Sequence, residues 1–429
     1  MNDSNVNVYA LDRWLDTMRS PIGYGGPVAH WWQQSLMFCG AGFDWRYEGI
    51  ITGYLALWQR TGAQTWLDKA CRAGDDLLNA QMENGNFPNS AFESNPSTAG
   101  TPHEVACDVG LLRLGEALQH HNAEAAEPYV RCAERNLQSF YIEQLWDAKQ
   151  KRFRDGVGTD TFVPNKAATA CEAFFLWAKL RQREDLVEQY VLPTLNHILD
   201  HQLQATGKLH GAIAQNSLNQ RRVDKFFPIY IARCVAALLQ GYEWTKDERW
   251  VAGAQAAIAF IVRWVQVDGS IPTVVYQDGS INSGHVWRAA LGDVLRAAQL
   301  LRSYHFTAST DPIDELFCNS QDSSGAFQTA SGFAAQAGGR IPALPDVRDV
   351  LHVVGWNDKA FRYLAEFGDL LAPDGANSAF EQACTFRGQR VQFRETSTLL
   401  TISAQSKLIY RWQKGSPYPD IAAPDFWLR

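Results

Sequence analysis

The sequence predicts an all-α fold, an (α/α)6 toroid of six helical hairpins followed by a small C-terminal β hairpin. Three observations predict it. First, one phrase recurs, in which a helix ends in Gln and is followed by Gly, one residue and an apolar residue. Its copies are Gln81…Gly85-Asn-Phe87, Gln202…Gly207-Lys-Leu209, Gln266…Gly269-Ser-Ile271 and Gln321…Gly325-Ala-Phe327, with a looser one in Gln144-Leu-Trp146…Phe153. The glutamines fall 55 to 64 residues apart, and a fixed period of this kind marks a repeat architecture. Second, segments that are apolar all round alternate with amphipathic ones, as in two concentric helical layers. Third, short connections such as Arg60-Thr-Gly-Ala63 and His120-His-Asn-Ala123 alternate with long polar ones over 21–45, 82–102, 145–164, 203–225, 267–283 and 322–349.

The elements follow in order. Asn7–Ser20 reads as an amphipathic helix, and a Pro/Gly-rich break at 21–27 precedes a short aromatic helix expected over Ala29–Phe38. Asp44 opens a nearly uncharged helix to about Arg60, whose Gly, Ala and Leu faces predict full burial. Gln64–Gln81 carries Asp68, Lys69, Arg72, Asp75 and Asp76 on one side, as a surface helix does. The alternation then continues with His103–Leu118 apolar and Glu124–Gln144 amphipathic, Asn165–Leu180 apolar and Glu184–Gln202 amphipathic, Phe226–Tyr242 apolar and Asp247–Gln266 amphipathic. Gly284–Leu301 is mixed, Pro312–Ser320 short, and a last helix is expected over Val350–Phe367. A strand-type period of two appears only in Gly388–Glu395 and Leu399–Trp412. The expected division is a toroid over 1–378 and a β-containing appendage over 379–429. Six inner helices paired with six outer ones favour closure over an open solenoid, which would show shorter repeats and polar capping ends.

Composition narrows the function. A net charge of −7 with no basic block argues against nucleic acid as a partner. No stretch approaches the roughly 18 apolar residues of a membrane span. Met1–Tyr9 has neither a basic nor an apolar signal region, which predicts a cytoplasmic protein. The eight cysteines are scattered without a CxxC pair, as reduced, buried small hydrophobes are. No HExxH, P-loop, Rossmann glycine pattern or Gly-x-Ser-x-Gly elbow occurs, so neither a metal nor an organic cofactor is expected. The 12% aromatic content fits either wide helical layers that need large side chains or a stacking platform for a flat ligand.

In a closed ring the long loops share one face, the mouth, where the inner helices also present their N-termini. Free N–H groups there favour an anionic ligand. The polar residues falling at that face are Asp44, Trp45, Arg46, Tyr47 and Glu48; Asn89, Glu93, His103, Glu104 and Asp108; Asn165, Lys166 and Glu172; His210, Gln215, Asn216, Asp224 and Lys225; Asn282, His285, Trp287 and Arg288; and Asp346, Arg348, Asp349, Trp356, Asn357 and Asp358. Asp44 has a plain alternative as a helix cap, and Asp224 and Asp349 have neighbouring arginines. Asp108 and Glu172 are harder to dismiss, because each interrupts an apolar helical face where an unpaired carboxylate is costly. The catalytic candidates are therefore Asp108, Asp44, Glu48 and Glu172. Trp45, Arg46, Tyr47, His103, Glu104, Asn165, Lys166, His210, Gln215, Lys225, His285, Trp287 and Arg288 are the substrate-binding candidates.

Over roughly residues 8–368 the chain resembles the six-hairpin glycosidases. The stretch His103-Glu-Val-Ala-Cys-Asp108-Val-Gly110 is similar to the second inner helix of the unsaturated glucuronyl and rhamnogalacturonyl hydrolases, although their His-Asp-x-Gly-Phe sequence does not occur. That resemblance implies Asp108 as general acid/base, Asp44 or Glu48 as second carboxylate, Trp287-Arg288 as a clamp on a uronate, and a saccharide as the substrate. Leu145-Trp-Asp-Ala-Lys-Gln-Lys-Arg-Phe-Arg154 resembles the N-acylglucosamine 2-epimerases, which implies a His-centred proton transfer at His210 or His285. Toroidal lyases, which use a Tyr or His base, stay open as well. So do an isoprenoid cyclase, with Gly74-Asp75-Asp76 as its acid motif, and a non-catalytic glycan-binding role.

Overall fold

A computed structural model describes residues 6–29, 34–88, 100–119, 121–204, 206–334, 343–371 and 375–423. Among them, six inner helices run Trp45–Thr61, Val105–Gln119, Pro164–Arg181, Pro228–Ala232 continued by Cys234–Thr245, Leu291–Arg302 and Val354–Phe367. Each packs on the next and the sixth packs on the first, so the ring closes. Small residues permit the close approach: a Cβ on Gly49 would stand 2.7 Å from the Asp358 carbonyl oxygen, and one on Gly292 would stand 2.6 Å from that of Lys359. The outer layer comprises Val8–Thr17, Gln64–Ala80, Ala123–Asn136, Leu192–Asp200, Glu248–Arg263 and Asp311–Cys318. The expected (α/α)6 toroid is the fold observed.

The recurrent Gln has a structural explanation at three of its five copies, while Gln144 and Gln266 donate to Ser139 and Trp264 of their own segments. The Gln81 side-chain N–H group donates to the carbonyls of Gly85 (2.8 Å) and of Cys132 on the next outer helix (2.7 Å). Gln202 reaches Gly211 (3.2 Å) and Gly253 (2.8 Å) in the same way. Gln321 reaches Gly325 (2.8 Å) and Asn7 at the start of the first outer helix (3.0 Å), which sews the last repeat to the first. The turn after Gln81 needs a left-handed residue at Gly85 (φ 89°), and the turn after Gln321 needs one at Gly325 (φ 86°), which glycine adopts without steric cost.

Several expectations are corrected. The helix anticipated over Ala29–Phe38 is replaced, in its described part, by an antiparallel pair of short strands, Val28–Ala29 with Gln34–Ser35. The fifth inner helix starts at Leu291, and the residues before it form a strand, Val286–Trp287. The last inner segment is broken into Val347–Val350 and Val354–Phe367. Strands also stitch consecutive repeats at the mouth, pairing Thr161 with Leu218, Lys225 with Tyr276, and Trp287 with Ala330. These ladders are two or three residues per strand, too short to show a period. The C-terminal element is a five-stranded antiparallel meander rather than a hairpin: Phe380–Phe386, Gln389–Glu395, Leu399–Ala404, Lys407–Gln413 and Asp420–Ile421. Its apolar face, including Phe393, Ile402, Tyr410 and Trp412, joins the hydrophobic core of the ring.

Candidate active site

Charged side chains from five of the six inner helices meet on the ring axis. Glu48, in the first turn of the first inner helix, accepts from Arg233 Nη2 at Oε2 (2.5 Å) and from Arg362 Nη1 at Oε1. Arg233 lies at the one-residue break in the fourth inner helix. It also reaches Thr169 Oγ1 on the third (3.3 Å) and Asp293 on the fifth (3.7 Å). Arg362, on the sixth, donates to Asp293 Oδ1 (2.6 Å). Only the lumen is close to all of these helices at once. Glu172, also from the third inner helix, lines a cavity beside Arg233, Asp293, Arg296 and Arg362.

The electrostatics separate the two glutamates. Burial alone would raise Glu48, but Arg233 and Arg362 outweigh it and hold the carboxyl down at about 2. Burial and the nearby Glu48 charge push Glu172 up, against the attraction of the arginines. Counting charges gives the same answer. The connected network contains the carboxyls of Glu48, Glu172, Asp293, Asp358 and Glu366 against Arg233, Arg296, Lys359 and Arg362. One carboxyl in five therefore lacks a cation. Asp358 is salt-bridged to Lys359 (2.9 Å), and burial with the Asp293 charge still lifts it to about 6. Glu172 has no salt bridge and is the natural holder of the odd proton.

Trp45 stands over this network. Its indole is 4.9 Å from the Arg233 guanidinium, and its Nε1–H donates to His103 Nδ1 (2.5 Å). A second aromatic wall brings Trp287 onto Trp356 (centroids 4.4 Å apart) and His285 onto Phe333 (4.6 Å), with Arg348 over Phe333 (4.6 Å). Burial, with Arg348 nearby, lowers His285 to about 4. Arg288 donates to Ser331 (3.0 Å), and burial lowers its pKa.

Other residues singled out from the sequence lie elsewhere. Asp44 caps the first inner helix through Arg46 N (3.0 Å) and forms a two-point ion pair with the Arg46 guanidinium (2.9 and 3.2 Å). Tyr47 stacks on Phe43 and donates to Asp76 (3.3 Å). Glu104 ties down the preceding loop, accepting from Phe87 N (3.1 Å), Gly100 N (2.5 Å), Thr101 N (3.1 Å) and Asn136 Nδ2 (2.8 Å). Burial raises it to about 7. Asp108 is 0% exposed and neither carboxyl oxygen has a hydrogen-bond partner. It shares a helix face with Gly115, seven residues on, where a Cβ would strike Val130 of the outer helix. The carboxyl therefore points between the layers and away from the lumen, and burial, then Glu104, raises its pKa well above the usual range. Lys166 pairs with Asp155 (2.9 Å) beside half-buried Asn165. His210 and Gln215 are half-buried and Lys225 is exposed, on the loops of the fourth repeat. Asn89 and Glu93 lie outside the described residues. Among those residues, no group of three or more His, Cys, Asp or Glu side chains is placed to hold a metal, and no helix is long and apolar enough to cross a membrane.

Arg233, Asp293 and Arg362 were not singled out from the sequence. The signal was present: Ile231-Ala-Arg233-Cys-Val and Leu291-Gly-Asp293-Val-Leu interrupt apolar helices just as Asp108 and Glu172 do.

No family model matches this chain, and no curated protein does. Solved structures do. A possible member of the GH105 family from Klebsiella pneumoniae superposes with a TM-score of 0.61 at 11% identity, covering 84% of this chain and 92% of that one. Cellobiose 2-epimerase from Bacillus thermoamylovorans gives 0.61 at 11% identity over 84% and 98%. An unsaturated glucuronyl hydrolase specific for heparin gives 0.57 at 11% over 85% and 95%. The chain thus shares the (α/α)6 toroid fold of these solved structures. At this identity the likeness defines the fold, and the chemistry has to be argued from the site.

Proposed function

We propose that the protein is a carbohydrate-active enzyme, a glycoside hydrolase acting on an acidic, uronate-type oligosaccharide fragment. One observation carries the reading: two carboxyls share the lumen, and their surroundings drive their protonation apart. Glycoside hydrolysis requires such a pair, one carboxyl protonated to assist the leaving group and one ionised to face the developing positive charge. Glu172 is assigned the proton-donor role and Glu48, fixed by Arg233 and Arg362, the ionised role. Trp45, only partly buried, offers a ring face to a sugar, while Arg288 supplies positive charge for a uronate.

The test is a pair of substitutions assayed on unsaturated uronides and a panel of aryl glycosides. Glu172→Gln is expected to lower turnover by roughly 10²–10⁴-fold, the usual worth of a general acid, and Asp108→Asn to leave it within about threefold. The reverse pattern, with both variants folded, overturns the assignment. Epimerisation is the second reading, favoured by the placement of His103 against Trp45 beside the lumen and by the epimerase fold likeness. Solvent deuterium at a sugar carbon of recovered substrate would establish it.

A further inference from the structure

The axial cavity bears on how Glu172 is held, an inference that rests on the proton-donor role proposed for that residue. Its polar lining is Glu172, Arg233, Asp293, Arg296 and Arg362, with Ala236 on its apolar side, and it has room for about one water-sized particle. The guanidinium groups of the lining are already matched by carboxylates, Arg233 and Arg362 by Glu48 and Asp293, and Arg296 by Glu366. With the odd proton on Glu172 the network is neutral, and a neutral occupant leaves it so. Three polar atoms of the lining residues are buried without a hydrogen-bond partner: the Nε–H donors of Arg233 and Arg362 and the acceptor Asp293 Oδ2. Buried polar atoms left unmade are costly, and a mixed set of donors and an acceptor beside a cavity of this size fits water. A water molecule accepts two hydrogen bonds and donates two. It can accept from both Nε–H groups and donate to Asp293 Oδ2, which leaves one hydrogen for Glu172.

We propose that this cavity seats one buried water, held by Arg233, Arg362 and Asp293, which donates to the carbonyl oxygen of Glu172 and so turns the Glu172 hydroxyl toward the sugar. In a protonated carboxyl one oxygen carries the proton and the other only accepts. Fixing the accepting oxygen from the cavity side leaves the O–H for the leaving group. Asp293 is then a positioning residue: one oxygen is held by Arg362 (2.6 Å), and the other acts on Glu172 through the water. That water is a fixture of the acid and not the molecule that attacks the sugar.

High-resolution diffraction from crystals of the full chain tests the site. A single peak within about 2.7–3.2 Å of Arg233 Nε, Arg362 Nε, Asp293 Oδ2 and a Glu172 oxygen is expected. No peak there, or one that gives an anomalous signal after bromide soaking, overturns the proposal. The role is tested with Ala236→Val, which fills the space without changing any charge. Turnover of an accepted glycoside should fall by roughly 10–10²-fold, as for a misplaced catalytic group, at an unchanged KM, because no sugar contact is altered. Losing the donated hydrogen bond disfavours the ionised carboxyl, so the alkaline limb of the pH–rate profile should also move to higher pH. A folded variant without the water that keeps wild-type turnover and pH profile overturns the role. Ala297→Val fills the same cavity from the fifth inner helix and replaces Ala236→Val should that variant fail to fold. If Glu172→Gln keeps full turnover, the hydrolase reading fails, while the diffraction map still decides the water site.

Discussion

The buried charges that dock the C-terminal sheet and those on the ring axis are built on different principles. The group that docks the sheet is balanced. Glu395, on the second strand of the meander, accepts from Trp14 Nε1 (2.7 Å) and Lys414 Nζ (2.7 Å) at one oxygen and meets His352 Nδ1 (2.7 Å) at the other. The far nitrogen of His352 lies 2.6 Å from Asp322, and Lys414 also donates to Thr17 (2.9 Å). Two cations face two carboxylates, and the partners come from the first outer helix, the last mouth loop and the sheet. The axial group instead has five carboxyls for four cations and a cavity. Balance without space is what an anchor needs. A surplus carboxyl beside space is what a site of proton transfer needs.

The sharpest way to break this contrast is to remove the centre of the anchor. Glu395→Ala would leave Lys414 and protonated His352 buried without their shared carboxylate. Breaking a buried pair from one side typically costs ~3–5 kcal/mol, so the midpoint of urea unfolding should fall by that equivalent at an unchanged slope. A loss under about 1 kcal/mol would mean that the sheet is held by its apolar face alone and that the anchor is incidental.

The same anchor should write itself into the pH dependence of stability. Burial would lower His352, but Asp322 and Glu395 outweigh it and raise it to about 10. Its stabilising contribution is therefore complete below its unfolded value near 6.5 and is lost as pH rises through about 10. Burial would raise Glu395, but Lys414 and His352 outweigh it and hold it at about 2. That contribution is complete above the unfolded value near 4.5 and is lost as pH falls through about 2. The axial carboxyl works in the opposite sense. Glu172, raised on folding, favours the folded state when protonated, and that contribution declines as pH climbs past its unfolded value. Denaturation curves from pH 3 to 10.5 should show a broad maximum on the mildly acidic side. In Glu395→Ala the alkaline limb should flatten.

Glu172→Leu separates the two groups by sign. Removing a buried carboxyl that has no salt bridge should leave stability unchanged or raise it by about 1 kcal/mol, while abolishing turnover on any accepted glycoside. Destabilisation by several kcal/mol would show that Glu172 belongs to a structural network after all.

Asp108 and Glu172 show where sequence reading stops. Both are single carboxyls inside apolar helices, and nothing in their local sequence distinguishes them. The difference is helix rotation: Asp108 shares its face with Gly115, which packs on the outer layer, while Glu172 turns to the axis. Periodicity identified the inner helices because such helices are apolar on every face, which is also why it could not say which face looks inward. The Gln–Gly phrase was legible because it builds a turn from neighbouring residues. The turn within Leu399–Trp412 was not, because Gln405 and Ser406 take positive φ (47° and 66°) where glycine or asparagine would have announced a hairpin. Arg233 and Arg362 reach their carboxylate partners across 185 and 314 residues, a separation that no local pattern encodes.

The smallest expected effect supplies the control for the anchor. Glu381 and Arg394 are direct cross-strand neighbours on the first two strands of the same sheet, 2.6 Å apart, with side chains 51% and 55% exposed. Water screens this pair and both side chains lose rotamer freedom in forming it, so a double-mutant cycle with Glu381→Ala and Arg394→Ala should return a coupling of only ~0.2–1 kcal/mol that shrinks in molar salt. The coupling between Glu395 and Lys414, on the same sheet but sealed against Trp14, should be several times larger and nearly insensitive to salt. If the two couplings prove equal, burial is not what gives the anchor its strength, and the distinction drawn between a charge group that holds the sheet and one that holds a proton loses its energetic basis.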